Sequence, residues 1–271
     1  MIGASRESAA AARENLSALT DRPAVDTAKL ADELNAVTGL LDHEAALRRT
    51  LADPSREGQD KAALVARLLD GKVGSDTVDL VSGMVRSRWI QSRDLADTAE
   101  QLAALAELIG AERADQLDDV EDELFRFGRV VAGSPELRSA LTESAAPAES
   151  RTGLVKRLLG DRAKPATVRL VESLVARPRG RSLEAGLDEF MRLAAERRDR
   201  VVALVTTAVP LTEAQRDRLG ASLAKLYGRR VHINADVDPK VLGGVLVQIG
   251  DELIDGTVAG RLDSARQGLA G

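Results

Sequence analysis

The sequence predicts a predominantly helical α+β protein, with tandem N-terminal helical bundles followed by a small C-terminal α/β domain of order β-α-β-β-α. Three observations predict it. Over residues 1–198 apolar residues recur at helical spacing between clear helix-start signals. That stretch repeats itself at a shift of 90 residues. From residue 199 onward β-branched runs replace the helical period. The expected domains are a first bundle over 1–112, a second over 113–198 and an α/β domain over 199–271.

The first helix carries Ala9, Ala12, Leu16 and Leu19 on one stripe, and Ser5 is its expected cap. Ser134-Pro135-Glu136 sets a cap, then proline at the first helical position, then an acid at the positive end of the dipole. Lys164-Pro165 opens another helix the same way. In the repeat, Leu64-Val65-Ala66-Arg67-Leu68-Leu69 falls on Leu154-Val155-Lys156-Arg157-Leu158-Leu159. In the same ungapped register Leu47, Arg48 and Leu51 meet Leu137, Arg138 and Leu141. Thr77-Val78 meets Thr167-Val168, Leu80-Val81 meets Leu170-Val171, and Val85 meets Val175. One register serving several segments points to a duplicated helical core rather than chance likeness of two Leu-rich stretches.

The third domain opens with Val201 to Val209, apolar on both faces as a buried central strand would be. Thr212 and Gln215 form a capping box for a helix with the expected stripe Leu219, Leu223 and Leu226, which Gly228 ends. Val231, Ile233, Ala235 and Val237 then alternate with His232, Asn234 and Asp236, a half-buried strand. Gly243-Gly244 leads into a strand from Val245 to Ile249, and Gly250-Asp251 fits a two-residue hairpin turn. Thr257 is the expected cap of a last helix bearing Val258, Leu262 and Leu269.

Composition narrows the function. The 271 residues are 44% hydrophobic and 30% charged, enough to bury a sizeable core. Aromatic residues make up 2% and the net charge is −5, which argues against a nucleic-acid surface. With no cysteine, disulfides, thiolate metal sites and a cysteine nucleophile are excluded. The longest apolar run, Val201 to Val209, falls short of the roughly 18 apolar residues a membrane span needs, so membrane association is expected only through partners.

Motifs for catalysis are missing. There is no phosphate loop, and Gly243-Gly244 is a lone pair entering a strand. His43 and His232 lack any ligand spacing and read as structural. The carboxylates of Asp251, Glu252 and Asp255 are tied to a turn and a short strand rather than to a pocket. Arg177-Pro178-Arg179-Gly180-Arg181 is the one compact basic cluster; it could touch nucleic acid, an anionic membrane or an acidic partner helix, but it reads first as a solvated interhelix turn, and the negative net charge weighs against nucleic acid. Trp89 and Tyr227 read as packing residues at helical positions. No cofactor or metal is expected.

The run Val231-x-Ile233-x-x-x-Val237-Asp238-x-x-Val241-x-Gly243-Gly244-Val245-x-Val247-Gln248-x-Gly250 resembles the signature of the ATP synthase delta subunit, also called the oligomycin-sensitivity-conferring protein. Ile254-Asp255-Gly256-Thr257-Val258 and Arg261-Leu262 are similar to that family's hairpin and final helix, with Thr257 where serine is commoner. Ala208 to Thr212 resembles its strand-to-helix junction. The likeness is close over 200–271 and loose upstream, where the family has one helical bundle and this chain has two. The resemblance implies a non-catalytic peripheral-stalk, or stator, subunit. Its helical part would grip the N-terminal segments of the alpha subunits, and its C-terminal domain would bind the b-subunit stalk, at the cytoplasmic face of the cell membrane. The rival readings are a helical adaptor of another complex, with no reason to carry the signature, and an enzyme using a polar pocket in the α/β domain.

Overall fold

The computed structural model describes residues 3–143, 145–198, 201–228, 231–239, 241, 243–249 and 252–256. The chain divides into two compact units, Met1–Ala195 and Glu196–Gly271.

The first unit is helical: α1 (Ala4–Thr20), α2 (Thr27–His43), α3 (Ala45–Ala52), α4 (Gly58–Leu69), α5 (Ser75–Arg86), α6 (Ser92–Arg113), α7 (Leu117–Gly133), α8 (Pro135–Thr142), α9 (Ala148–Leu159), α10 (Pro165–Ala176) and α11 (Leu183–Arg198). The sequence repeat reappears in the element boundaries. Helices α2 to α5 and α7 to α10 correspond pair by pair, each starting and ending 90 residues apart. Equivalent side chains fill equivalent places: Leu51 and Leu141, Val65 and Val155, Leu80 and Leu170, and Val85 and Val175 are all buried. Polar details repeat as well. The Glu33 carboxylate accepts the Gly74 N–H at 2.9 Å and the Thr77 hydroxyl, so a side chain of α2 caps the N-terminus of α5. Glu123 of α7 does the same for α10, accepting the Lys164 N–H at 2.9 Å and the Thr167 hydroxyl at 2.5 Å.

Helix α6 joins the two copies. It packs on α1, α2 and α3 of the first and on α7 and α10 of the second. Fifteen of its 22 residues are buried, so it has almost no solvent face. One apolar core runs from Ala9 to Ala194 without a break. The boundary drawn from sequence between 112 and 113 falls at the C-terminal end of this helix.

Ser134 caps α8 and Lys164 precedes Pro165 at the start of α10, as the sequence indicates. Ser5 does not cap α1. Gly3 holds that position, and the Ser5 hydroxyl is buried and accepts the Ile90 N–H at 2.8 Å, tying α1 to the α5–α6 connection. Trp89 packs as expected but beyond the end of α5, with its indole N–H donating to the Met84 carbonyl at 2.9 Å.

The second unit contains β1 (Val201–Thr207), α12 (Glu213–Tyr227), β2 (Val231–Val237), β3 (Val245–Ile249) and β4 (Glu252–Asp255). The sheet order is β2-β1-β3-β4, with β1 parallel to β2 and the other pairs antiparallel. β4 is the short strand expected after the Gly250-Asp251 turn, although the β-α-β-β-α order did not count it, and the expected last helix from Thr257 lies outside the described residues. The Thr212–Gln215 capping box forms, and Gly228 ends α12 at φ 67°. That helix packs Leu219, Leu223 and Tyr227 onto Ala203, Val205, Ile233, Val247 and Ile249. Two details differ from the sequence reading. The helix stripe continues from Leu223 to Tyr227, four residues on, which leaves Leu226 68% exposed. Strand β1 is central, but its face bearing Leu204 is open, so it is buried on one side only.

Candidate interaction site

The signature residues build the frame of the sheet. Ile233 and Val247 are buried in its core, and Val231 and Val245 pack against its edge. Val237 ends β2 beyond the reach of α12 and is exposed. The connection to β3 is then fixed by three backbone hydrogen bonds: Asp238 N–H to Thr207 O (2.9 Å), Val241 N–H to Asp238 O (3.0 Å) and Gly243 N–H to Val241 O (2.9 Å). Gly243 and Gly244 sit at φ 67° and 83°, a left-handed pair that side-chain-bearing residues disfavour. The Gly pair is therefore a turn device. Gln248 and Asp255 project from β3 and β4 and are exposed. Gly250 lies outside the described residues.

The face of the sheet away from α12 mixes apolar and polar side chains. Leu204, Gln248 and Leu253 form one cross-strand row, and Thr206, Leu246 and Asp255 form the next. Leu204 and Leu253 are 50% and 60% exposed. Tyr227 donates to Glu252 at 2.7 Å across the core side, and that bond to a carboxylate holds the phenol above its usual range. On the helical unit, α1 turns Glu7, Ala10, Ala11, Glu14 and Ala18 to solvent. Phe125 and Val130 of α7 are also exposed.

The small void among Val37, Leu41, Leu51, Val65, Met84 and Leu95 is wholly apolar, and no polar groups converge on it. Among the described residues no group of three or more His, Cys, Asp or Glu side chains is placed to hold a metal. No helix among them is long and apolar enough to cross a membrane.

The basic run Arg177 to Arg181 is where sequence reasoning missed most. It turns inward. The Arg179 side chain is 5% exposed and makes ion-pair contacts with Asp42 (3.0 Å) and Asp97 (2.8 Å). It also hydrogen-bonds Glu100 and the Ala96 carbonyl, each at 3.1 Å. Arg181 reaches Glu100 at 2.7 Å, and Arg177 reaches the Asn35 side chain at 2.5 Å. Burial pushes the Asp97 and Glu100 carboxyls above the usual range, and the arginines pull back against it. Nearby, Arg169 of α10 holds Glu107 of α6 in a two-pronged contact, both arms 2.6 Å.

The family model described as ATP synthase delta (OSCP) subunit matches residues 103–269, from within α6 through the second copy and the C-terminal unit. Proteins named ATP synthase subunit delta match along the whole length. The one from Streptomyces griseus is 61% identical and that from Acidothermus cellulolyticus 50%, each over 100% of both chains. That from Streptomyces avermitilis is 60% identical over 99% of this chain and 98% of its own. The added first copy is therefore common to these relatives, and the chain belongs to the ATP synthase delta (OSCP) subunit family.

Proposed function

We propose that this chain is a peripheral-stalk subunit of an F-type ATP synthase, a non-catalytic brace that links the alpha subunits of the catalytic head to the b-subunit stalk and resists the torque of the rotor. The full-length identity to proteins named ATP synthase subunit delta carries the reading. The surfaces of each unit, taken separately, support it. The helical unit offers the open face of α1, with Ala10 and Ala11 between Glu7 and Glu14 and Ala18 one turn further on, on which an amphipathic partner helix can lie. The C-terminal unit offers the sheet face bearing Leu204 and Leu253, suited to the end of a coiled coil. Of the signature residues, Val231, Ile233, Val237, Asp238, Val241, Gly243, Gly244, Val245 and Val247 serve this role by shaping the sheet and its turn, and Gln248 and Asp255 lie on the face offered to the stalk; Gly250 completes the signature in sequence. Two linked contacts engaged together hold far better than either alone. The protein works at the cytoplasmic face of the membrane through its partners.

The test is reconstitution. Membranes stripped of this subunit should hydrolyse ATP without pumping protons, and adding the purified chain should restore pumping. Cross-links should join the helical unit to alpha and the C-terminal unit to b. Full pumping in its absence, or cross-links to neither partner, would rule the reading out.

A further inference from the structure

We infer that the loop from Arg177 to Arg181 is a clamp that locks the two helical copies into one stiff body, with Arg179 as its positioning residue. Only the mechanical consequence of this rests on the stator reading.

The repeat itself isolates the feature. In the 90-residue register the loop Ser87-Arg88-Trp89-Ile90 corresponds to Arg177-Pro178-Arg179-Gly180. Trp89 turns into the core of its own copy, 2% exposed. At the matching position the second copy carries a guanidinium, and that group leaves its own copy. It crosses to Asp42 on α2 of the first copy and to Asp97 and Glu100 on the shared α6. Arg177 reaches the same helix α2 at Asn35, and the Arg93 side chain donates to the Arg179 carbonyl. The loop thus grips the first copy at two points and is gripped by α6 from the other side.

The backbone is bent to make this contact. Arg179 sits at φ 54° and Gly180 at φ 75°. A residue with a side chain holds that left-handed conformation only when its surroundings over-determine it. A guanidinium this buried also needs its counter-charges, since an unpaired buried charge is far costlier than an unpaired buried dipole. The contacts are therefore coupled: moving the second copy away from α2 would break the pairing of Arg179 with Asp42 and the bond of Arg177 to Asn35 together. A solvated interhelix turn requires none of this.

The chain has no cysteine, so spin labels can be placed at will. Arg49→Cys on α3 and Ser139→Cys on α8 are exposed and occupy matching positions of the two copies. Double electron–electron resonance on the free, full chain should give a narrow distance distribution. Arg179→Met should broaden it, and hydrogen exchange should lose protection around 35–42, 93–100 and 177–181 while α4 and α9 keep theirs. Should Arg179→Met fail to fold, Asp42→Asn carries the same expectation on a partner that is partly exposed. A distribution as narrow in the variant as in the parent overturns the inference. So does broadening accompanied by equal loss of protection in every helix, which marks general unfolding. The measurement needs no ATP synthase, so its failure leaves the stator reading standing, and the reverse holds too.

Discussion

Single carboxylates do much of the positioning in the helical unit. Glu33 and Glu123 each cap a neighbouring helix from a distance of 41 residues in sequence, satisfying a backbone N–H that α5 or α10 cannot satisfy internally. Removing either by substitution to alanine is expected to cost about 0.5–2 kcal/mol, the range of an ordinary N-cap loss. The two losses should be similar, as read from chemical denaturation. Glu33→Gln should cost less, because its amide oxygen still accepts the Gly74 N–H. Glu107 makes a different prediction. Burial raises its carboxyl above the ordinary value near 4.5, against the pull of Arg169. A carboxyl whose folded value lies above its unfolded one binds a proton more readily when folded. Its burial therefore weighs on the fold above the raised value and is relieved as pH falls toward 4.5. Glu107→Gln cannot titrate, so on acidification through that interval the parent chain should gain stability relative to the variant. Melting temperatures of both proteins across that range check the sign.

At the scale of elements, the sequence was most legible where backbone chemistry is local. The Thr212–Gln215 box, the Ser134 cap and the Gly228 terminus formed as read because each is decided within a few residues. Errors came where packing from afar decides. Ser5 has the right side chain for a cap, but the α5–α6 connection claims its oxygen. The stripe of α12 admits Leu226 or Tyr227 on period alone, and the sheet selects Tyr227, whose ring is half-buried and whose hydroxyl finds Glu252. This gives a paired prediction. Leu223→Ala should destabilise the C-terminal unit by about 2–5 kcal/mol, whereas Leu226→Ala should change it by less than about 0.5 kcal/mol. Urea titrations followed by hydrogen exchange in β1 and β3 separate the two. An unequal loss in the opposite order would mean that the helix packs by its other face.

For the molecule as a whole, the ungapped repeat made the helical unit readable, since a common register preserves both core positions and helix ends. What no register discloses is how two copies meet. That depended on α6 serving both bundles and on a guanidinium standing where the first copy has an indole. The candidate interaction surfaces were similarly half legible. The signature marked the strands and the Gly243-Gly244 turn, and it includes Gln248, but the two apolar residues beside Gln248 in the exposed row, Leu204 and Leu253, are not part of it. Charge reversal on α1, as in Glu7→Lys with Glu14→Lys, should weaken capture of the head while leaving the melting temperature nearly unchanged, because both side chains are exposed. Sedimentation with the isolated head reads the first effect and calorimetry the second.

The shared helix has an evolutionary corollary. Because α6 closes one bundle and opens the next, a further block of five helices inserted after it would meet a landing surface already in place, with no linker to invent. Growth by this route would come in whole blocks of 90 residues, the interval at which the helices already recur.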